Sequence, residues 1–246
     1  MSLVLGLNAY IILTEYAISM AAELVAFALF TLMLSSRTSN IPINFTPNIY
    51  LFITVSSLLA VGSLFYIGYL TVFWSAAVPL YNSRVLYLTG IIHFFFILAF
   101  SFSVLFLVLD TILNLKFPKF YEFSQKLCLC SITVSVIIFT FFIVLIMDYL
   151  SNFPNNEKTH CRVIRCLITP NSNPMYLKVK CTVAAMNTLL GILLIYYSGR
   201  TISQNRSMTV TNKLVIKIAI STFFFDFIPH YSAMVIFMVG VLQYPG

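Results

Sequence analysis

Apolar residues in this chain do not alternate with polar ones but gather in six long runs separated by short polar connections. The runs are Ile11–Leu34, Ile49–Trp74, Leu88–Leu109, Leu129–Leu150, Cys181–Tyr197 (starting as early as Leu177) and Val215–Val241. Each is close to the roughly 20 residues that a helix needs to cross about 30 Å of hydrocarbon. Phe94-Phe95-Phe96, Leu105-Phe106-Leu107-Val108-Leu109 and Phe223-Phe224-Phe225 lack the period of two that a membrane β-strand requires. A helix satisfies its backbone polar groups within the segment, so continuous apolar runs predict helices. The expected fold is all-α, a polytopic transmembrane helix bundle in a single domain over residues 1–246.

Composition agrees. Of the residues 60% are hydrophobic and 9% charged, against roughly 25% charged in ordinary soluble domains. A soluble protein of this length has no polar shell to cover so much Phe, Leu, Ile and Tyr. The formal charge of +7 does not point to nucleic acid. The basic residues fall mostly in connections and at run ends, where they meet lipid headgroups or fix topology. No basic helix face and no glycine-rich phosphate loop accompanies them. The first run lacks a preceding basic residue, carries Glu15 and Glu23, and is too long for a signal-peptide core. It is expected to remain as the first membrane helix.

The connections, about Ser35–Asn48, Ser75–Tyr87, Thr111–Cys128, Ser151–Tyr176 and Ser198–Leu214, are too short for a second folded domain. The two halves lack matching Gly/Pro-broken helices, which weakens an inverted-repeat transporter reading. Basic residues set the expected orientation. With the amino terminus outside, Arg37, Lys116, Lys119, Lys126, Arg200, Arg206, Lys213 and Lys217 face the cytoplasm, against Arg84, Lys158, Arg162, Arg165, Lys178 and Lys180 outside. The glycosylation sequons at Asn44 and Asn205 then fall on the cytoplasmic side and go unused. Five cysteines are too few for a disulfide framework. Cys161 and Cys166 share the longest connection and could close a small ring in an oxidising compartment, or stay as ordinary thiols.

Ionisable groups at membrane depth are expensive and usually face a bundle interior. Glu23 is near the middle of the first run and Asp226 near the middle of the sixth. Asp226 and His230, four apart, share one helix face, and Pro229 between them lacks an amide hydrogen and crowds the preceding turn, so a kink is expected there. The pair is a candidate ligand site or moving joint; it equally suits an internal hydrogen bond. His93 lies about a turn into the third helix, and Asn187 and Ser56-Ser57 are ordinary interhelical bonding groups. Asp110 closes the third apolar run ahead of Thr111–Lys116 and Phe117-Pro118, placed either to hold a neighbouring helix or to meet headgroups. None of these residues forms a nucleophilic triad, a paired carboxylate or a metal-ligand set by spacing. No enzyme, metal or cofactor is expected.

With its acid, aliphatic turn and Phe117-Pro118 in Val108–Tyr121, its sixth-run Asp226-Phe227-Ile228-Pro229-His230 and its spacing of runs, the chain resembles the nematode serpentine chemoreceptors. These are seven-helix G-protein-coupled receptors, and the class BC (class-B-like) branch is the most similar. The resemblance implies an extracellular amino terminus, a plasma or sensory-cilium membrane, a small-molecule ligand and a heterotrimeric G protein. By that likeness His93, Asn187, Asp226 and His230 are candidate pocket groups, and Asp110, Lys116 and Arg206 candidates for switch or G-protein contact. Asp110 matches the acid of the family's Asp-Arg switch, but Thr111 follows it in place of arginine. No cysteine lies near Arg84–His93 to tie the third helix to the long outer loop. A seventh helix is missing, so the expected object is a receptor fold, six helices of seven. The alternative is a small transporter or channel subunit whose polar path uses Glu23, Asp226 and His230.

Overall fold

The computed structural model describes residues 2–35, 46–74, 81–118, 121–150, 153–161, 167, 175–203, 210–228 and 231–232, with side chains except at 2–12, 33–35, 202–203, 210–211 and 225–226. The chain is an all-α membrane protein. Its helices are α1 (Ser2–Ser35), α2 (Pro47–Val72), α3 (Ser83–Lys116), α4 (Phe123–Val144), α5 (Met175–Ser203) and α6 (Val210–Thr222). Among the described residues five of these, α1 to α5, are long and apolar enough to cross a membrane. The sixth expected span, Val215–Val241, is described as far as Ile228 and at 231–232.

Local chemistry sets the helix ends. Pro47 opens α2, where its missing amide hydrogen costs nothing. The Thr46 carbonyl accepts from the amides of Ile49 and Tyr50 at 3.0 and 3.3 Å. Asn82 caps α3, its Oδ1 accepting from the amides of Arg84 and Val85 at 3.1 Å each. α3 therefore starts five residues before Leu88. At its other end it continues seven residues past Leu109, because Asp110 and Thr111 are internally satisfied and do not break the helix. It stops where Pro118 disfavours helical backbone at Phe117. α5 likewise begins at Met175, ahead of both Leu177 and Cys181, and so carries Lys178 and Lys180 inside the helix. Lys180, counted above with the outer basic residues, is instead buried, 1% exposed.

α4 and α6 both run into a wide π-type turn. At Leu145–Tyr149 the amide of Leu150 donates to the Leu145 carbonyl, and at Phe223–Phe227 the amide of Ile228 donates to the Phe223 carbonyl. The second of these ends two residues before Pro229 in sequence, which has no amide to donate to the carbonyl of residue 225.

The residues cluster in two units, one of Met1–Ile43, Ile53–Ile97 and Phe141–Asn173, the other of Asn44–Phe52, Leu98–Thr140 and Pro174–Gly246. In the first unit, β1 (Tyr81–Asn82) pairs antiparallel with β2 (Lys158–Thr159), Tyr81 opposite Thr159. Tyr81 is fully buried with Tyr66, Leu70 and Leu86, and its hydroxyl donates to the Leu70 carbonyl at 3.3 Å. The Tyr69 hydroxyl donates to the Asn82 carbonyl and accepts from the Asn82 amide. The Tyr87 hydroxyl donates to the Tyr149 carbonyl in the wide turn after α4, next to buried Asp148. In the second unit α5 packs on α6, with Gly191 opposite Ala219.

At Gly62 α2 lies tightly against α3. A methyl group there would lie 3.0 Å from Phe96 Cδ2 and 3.8 Å from Ile92 Cγ2, whereas at Gly68 and Gly199 it would meet nothing within 4 Å. Helix propensity favours alanine over glycine by roughly 0.5–1 kcal/mol, but overpacking costs about 1–3 kcal/mol. Gly62→Ala is therefore expected to lower the thermal unfolding midpoint in detergent, and Gly68→Ala to leave it unchanged or raise it.

Candidate functional site

Among the described residues three polar clusters lie where helices meet each other or an adjoining connection, one in the first unit and two in the second. Two are held by side chains from helices that are otherwise apolar, and the other joins α3 to residues just outside α2 and α4.

In the first unit Ser63 of α2 is fully buried, and its hydroxyl stands 3.1 Å from His93 Nδ1 of α3. The carboxyl of Glu23 in α1 hydrogen-bonds the same hydroxyl. Tyr66, one turn along α2, stacks on the imidazole at 5.2 Å with an interplanar angle of 13°. A hydroxyl has one hydrogen to donate and two lone pairs. With Glu23 ionised, Ser63 donates to the carboxylate and accepts from His93 Nδ1–H. With Glu23 protonated, the carboxyl donates to Ser63 and Ser63 donates to a bare Nδ1. A proton passed along this chain converts imidazolium and carboxylate into two neutral groups. The arrangement differs from a hydrolytic triad, in which the acid holds the imidazole nitrogen remote from the serine. Here acid and imidazole grip the same serine.

In the second unit Asp110 is 2% exposed. Thr46 Oγ1 donates to Oδ2 at 2.8 Å and the Tyr121 hydroxyl donates to Oδ1 at 2.6 Å. One carboxylate thus fastens the end of α3 to the residue before α2 and to the connection before α4. Burial, then the hydrogen bond to Asp110 and its negative charge, push the Tyr121 phenol well above its ordinary range, which keeps it a donor. Thr111 turns back on its own helix, its hydroxyl donating to the Leu107 carbonyl at 3.0 Å. Around this latch Lys126 lies over the Tyr121 ring at 5.5 Å, and Lys116 lies over Phe117 and Tyr197 at 5.1 and 5.9 Å. Asn48 is 1% exposed, and neither of its amide atoms has a hydrogen-bond partner.

The third cluster joins α3 and α5. The buried Lys180 ammonium donates to Ser101 Oγ. Asn187 Nδ2 donates to the Ser101 carbonyl at 3.0 Å. Asn187 Oδ1 is buried and has no partner.

The sequence-derived candidates divide accordingly. His93 belongs to the first unit and Asn187 to the second, each with its own partners. Asp110 is the centre of the latch, and Lys116 is exposed beside it. Asp226 falls in the wide turn after α6 but its side chain, like Pro229, His230 and Arg206, lies outside the described residues. Cys161 is disulfide-bonded, while Cys128, Cys130 and Cys181 are reduced thiols; Cys166 lies outside the described residues. Sequence reasoning missed Ser63, Ser101, Thr46, Tyr121 and Lys180. An earlier start for α5 exposes Lys180 as a membrane-depth cation; nothing in the sequence distinguishes Ser63 from Ser56 or Ser57. Ser57 merely bonds back to the Ile53 carbonyl. Among the described residues no group of three His, Cys, Asp or Glu side chains could hold a metal ion. Compared with known proteins, the chain matches no protein-family model and no curated protein.

Proposed function

We propose that this multi-pass membrane protein is a chemosensory receptor of the G-protein-coupled type, which reports a small extracellular molecule to a heterotrimeric G protein. The observation that carries the reading is the Asp110 latch. A single buried carboxylate joins three chain segments, Thr46, α3 and Tyr121, and can release them together. A contact of that kind has two discrete states, which a ligand can bias only through different affinity for each. Lys116 and Arg206 are the proposed G-protein contacts, and His93, Asn187, Asp226 and His230 the proposed ligand groups. The amino terminus is taken as outside, in a plasma or sensory-cilium membrane. Burial of Lys180 supports this, because it removes one basic residue from the outer side of the positive-inside comparison.

A specific observation favours a second reading, a small proton-linked transporter. Glu23, Ser63 and His93 form a carboxyl–hydroxyl–imidazole chain across three apolar helices, and such chains are typical of proton relays. One pair of measurements separates the two. The full chain is co-expressed with labelled Gα subunits of each class and tested for recruitment, and the purified chain in proteoliposomes is tested for proton flux. The receptor reading expects recruitment that Lys116→Glu weakens, with no flux. Flux abolished by Ser63→Ala, without recruitment, would overturn it in favour of transport.

A further inference from the structure

α3 ends at Lys116 and α4 begins at Phe123, so the stretch between them marks one edge of the membrane for both helices. Tyr197, near the end of the α5 span, lies at the same edge. Lys116 is exposed and Lys126 half-buried. Each ammonium is held over aromatic faces, Lys116 over Phe117 and Tyr197 and Lys126 over Tyr121. Phe117 and Tyr121 are one helical turn apart, since the Tyr121 amide donates to the Phe117 carbonyl at 3.0 Å.

A ring face attracts a cation through its quadrupole but has no net charge to cancel it. The acids of the stretch do not cancel it either. Asp110 is buried and committed to Thr46 and Tyr121. Glu122, four residues before Lys126, makes no ion pair with it, although that spacing suits one. Among the described residues both ammonium groups are thus without a counter-charge or a hydrogen-bond acceptor, and the rings fix where they stand. A singly charged headgroup answers one lysine. A phosphorylated inositol ring has two phosphates on a rigid frame and answers both, since an ammonium binds phosphate as a point charge. Exposed Phe117 and Phe123 give the acyl chains an apolar flank, which a free phosphate does not need. We infer that Lys116 and Lys126 form a binding site for the bisphosphorylated inositol headgroup of a membrane lipid, one phosphate on each ammonium. The site rests on the receptor reading only in assigning this edge to the cytoplasmic leaflet, where such lipids recruit basic residues.

The test uses the purified full chain in nanodiscs of phosphatidylcholine alone, with added phosphatidylinositol bisphosphate, or with phosphatidylserine at matched surface charge. The bisphosphate is expected to raise the unfolding midpoint by about 5 °C, as a ligand well above its Kd does, and phosphatidylserine by less than half as much. Lys116→Gln and Lys126→Gln should each reduce the bisphosphate shift and together abolish it. Lys116→Arg with Lys126→Arg should keep it, which separates lost charge from lost fold. Lys213→Gln, exposed on α6, should also keep it. No bisphosphate shift, equal shifts from the two anionic lipids, a full shift in the double glutamine variant, or the same loss in Lys213→Gln would overturn the site. Soluble inositol trisphosphate, which the membrane does not concentrate, should need about tenfold more to give the same shift; a shift equal to the lipid's at equal concentration would remove a lipid as the occupant. No Gα is present, so failure here leaves the receptor reading standing, and failure of Gα recruitment leaves this site standing.

Discussion

Asp110→Ala is expected to lower the unfolding midpoint of the detergent-solubilised chain by about 5–10 °C. Its carboxylate receives hydrogen bonds from Thr46 and Tyr121, so the alanine leaves two donors without an acceptor. A buried donor left unsatisfied costs roughly 1–3 kcal/mol. Tyr121 is partly exposed and can turn to water, which holds the total to about 2–3 kcal/mol. At this chain length 1 kcal/mol corresponds to roughly 2–4 °C. Thr46→Val and Tyr121→Phe should each cost less, about 1 kcal/mol, and the losses should be non-additive when combined with Asp110→Ala because all three act through one carboxylate. An Asp110→Ala midpoint within 1–2 °C of the wild type (roughly the 0.5 kcal/mol of an ordinary surface change) would rule out the latch as a fastening.

The same contact predicts a pH dependence with a definite sign. The Tyr121 phenol is raised in the folded chain by burial and by the Asp110 carboxylate. Folding therefore favours the protonated form. The corresponding stability is fully present below the ordinary tyrosine value of about 10 and is lost as the pH rises above it, when the unfolded phenol ionises and the folded one resists. The wild type should lose stability more steeply than Tyr121→Phe on the alkaline side, and the two should run parallel below it.

Ser63→Ala carries the second large effect, expected at about 2–3 kcal/mol. Ser63 is the shared partner of Glu23 and His93, and removing its hydroxyl strands a carboxyl and an imidazole at membrane depth together. Ser57→Ala is the matched control on the same helix, since that hydroxyl only returns to the Ile53 carbonyl at 2.9 Å; it should change stability by less than about 0.5 kcal/mol. Similar losses for the two variants would show that Glu23 and His93 do not depend on Ser63.

The helices were legible in the sequence because lipid imposes a length and forbids unpaired backbone, and both constraints leave long apolar runs. The ends were less so. α3 runs on past Leu109 because Asp110 is satisfied by residues 64 and 11 positions away, and hydropathy alone reads an acid as a boundary. Lys180 was counted with the outer basic residues, although Ser101, 79 positions earlier, receives it inside the bundle. Among the site residues, Asp110, His93 and Asn187 stood out as polar groups in apolar company. Their partners did not. Thr46, Ser63, Ser101 and Tyr121 are common residues whose roles come from pairing across helices, which no spacing within one helix encodes.

The wide turn at Leu145–Tyr149 has a consequence for how α4 tolerates changes of length. A π-type turn contains one residue more than the α-helical path it replaces, and each helical residue turns the chain by about 100°. Deleting one residue elsewhere in α4 swings every side chain beyond the cut by that angle, so that exposed Phe139 or Phe142 would exchange places with interior neighbours. Deleting one within Leu145–Tyr149 lets the wide turn relax to an ordinary one and leaves the preceding face in register. The segment is a built-in splice point, where the helix can lose a residue without rewriting which side of it meets lipid.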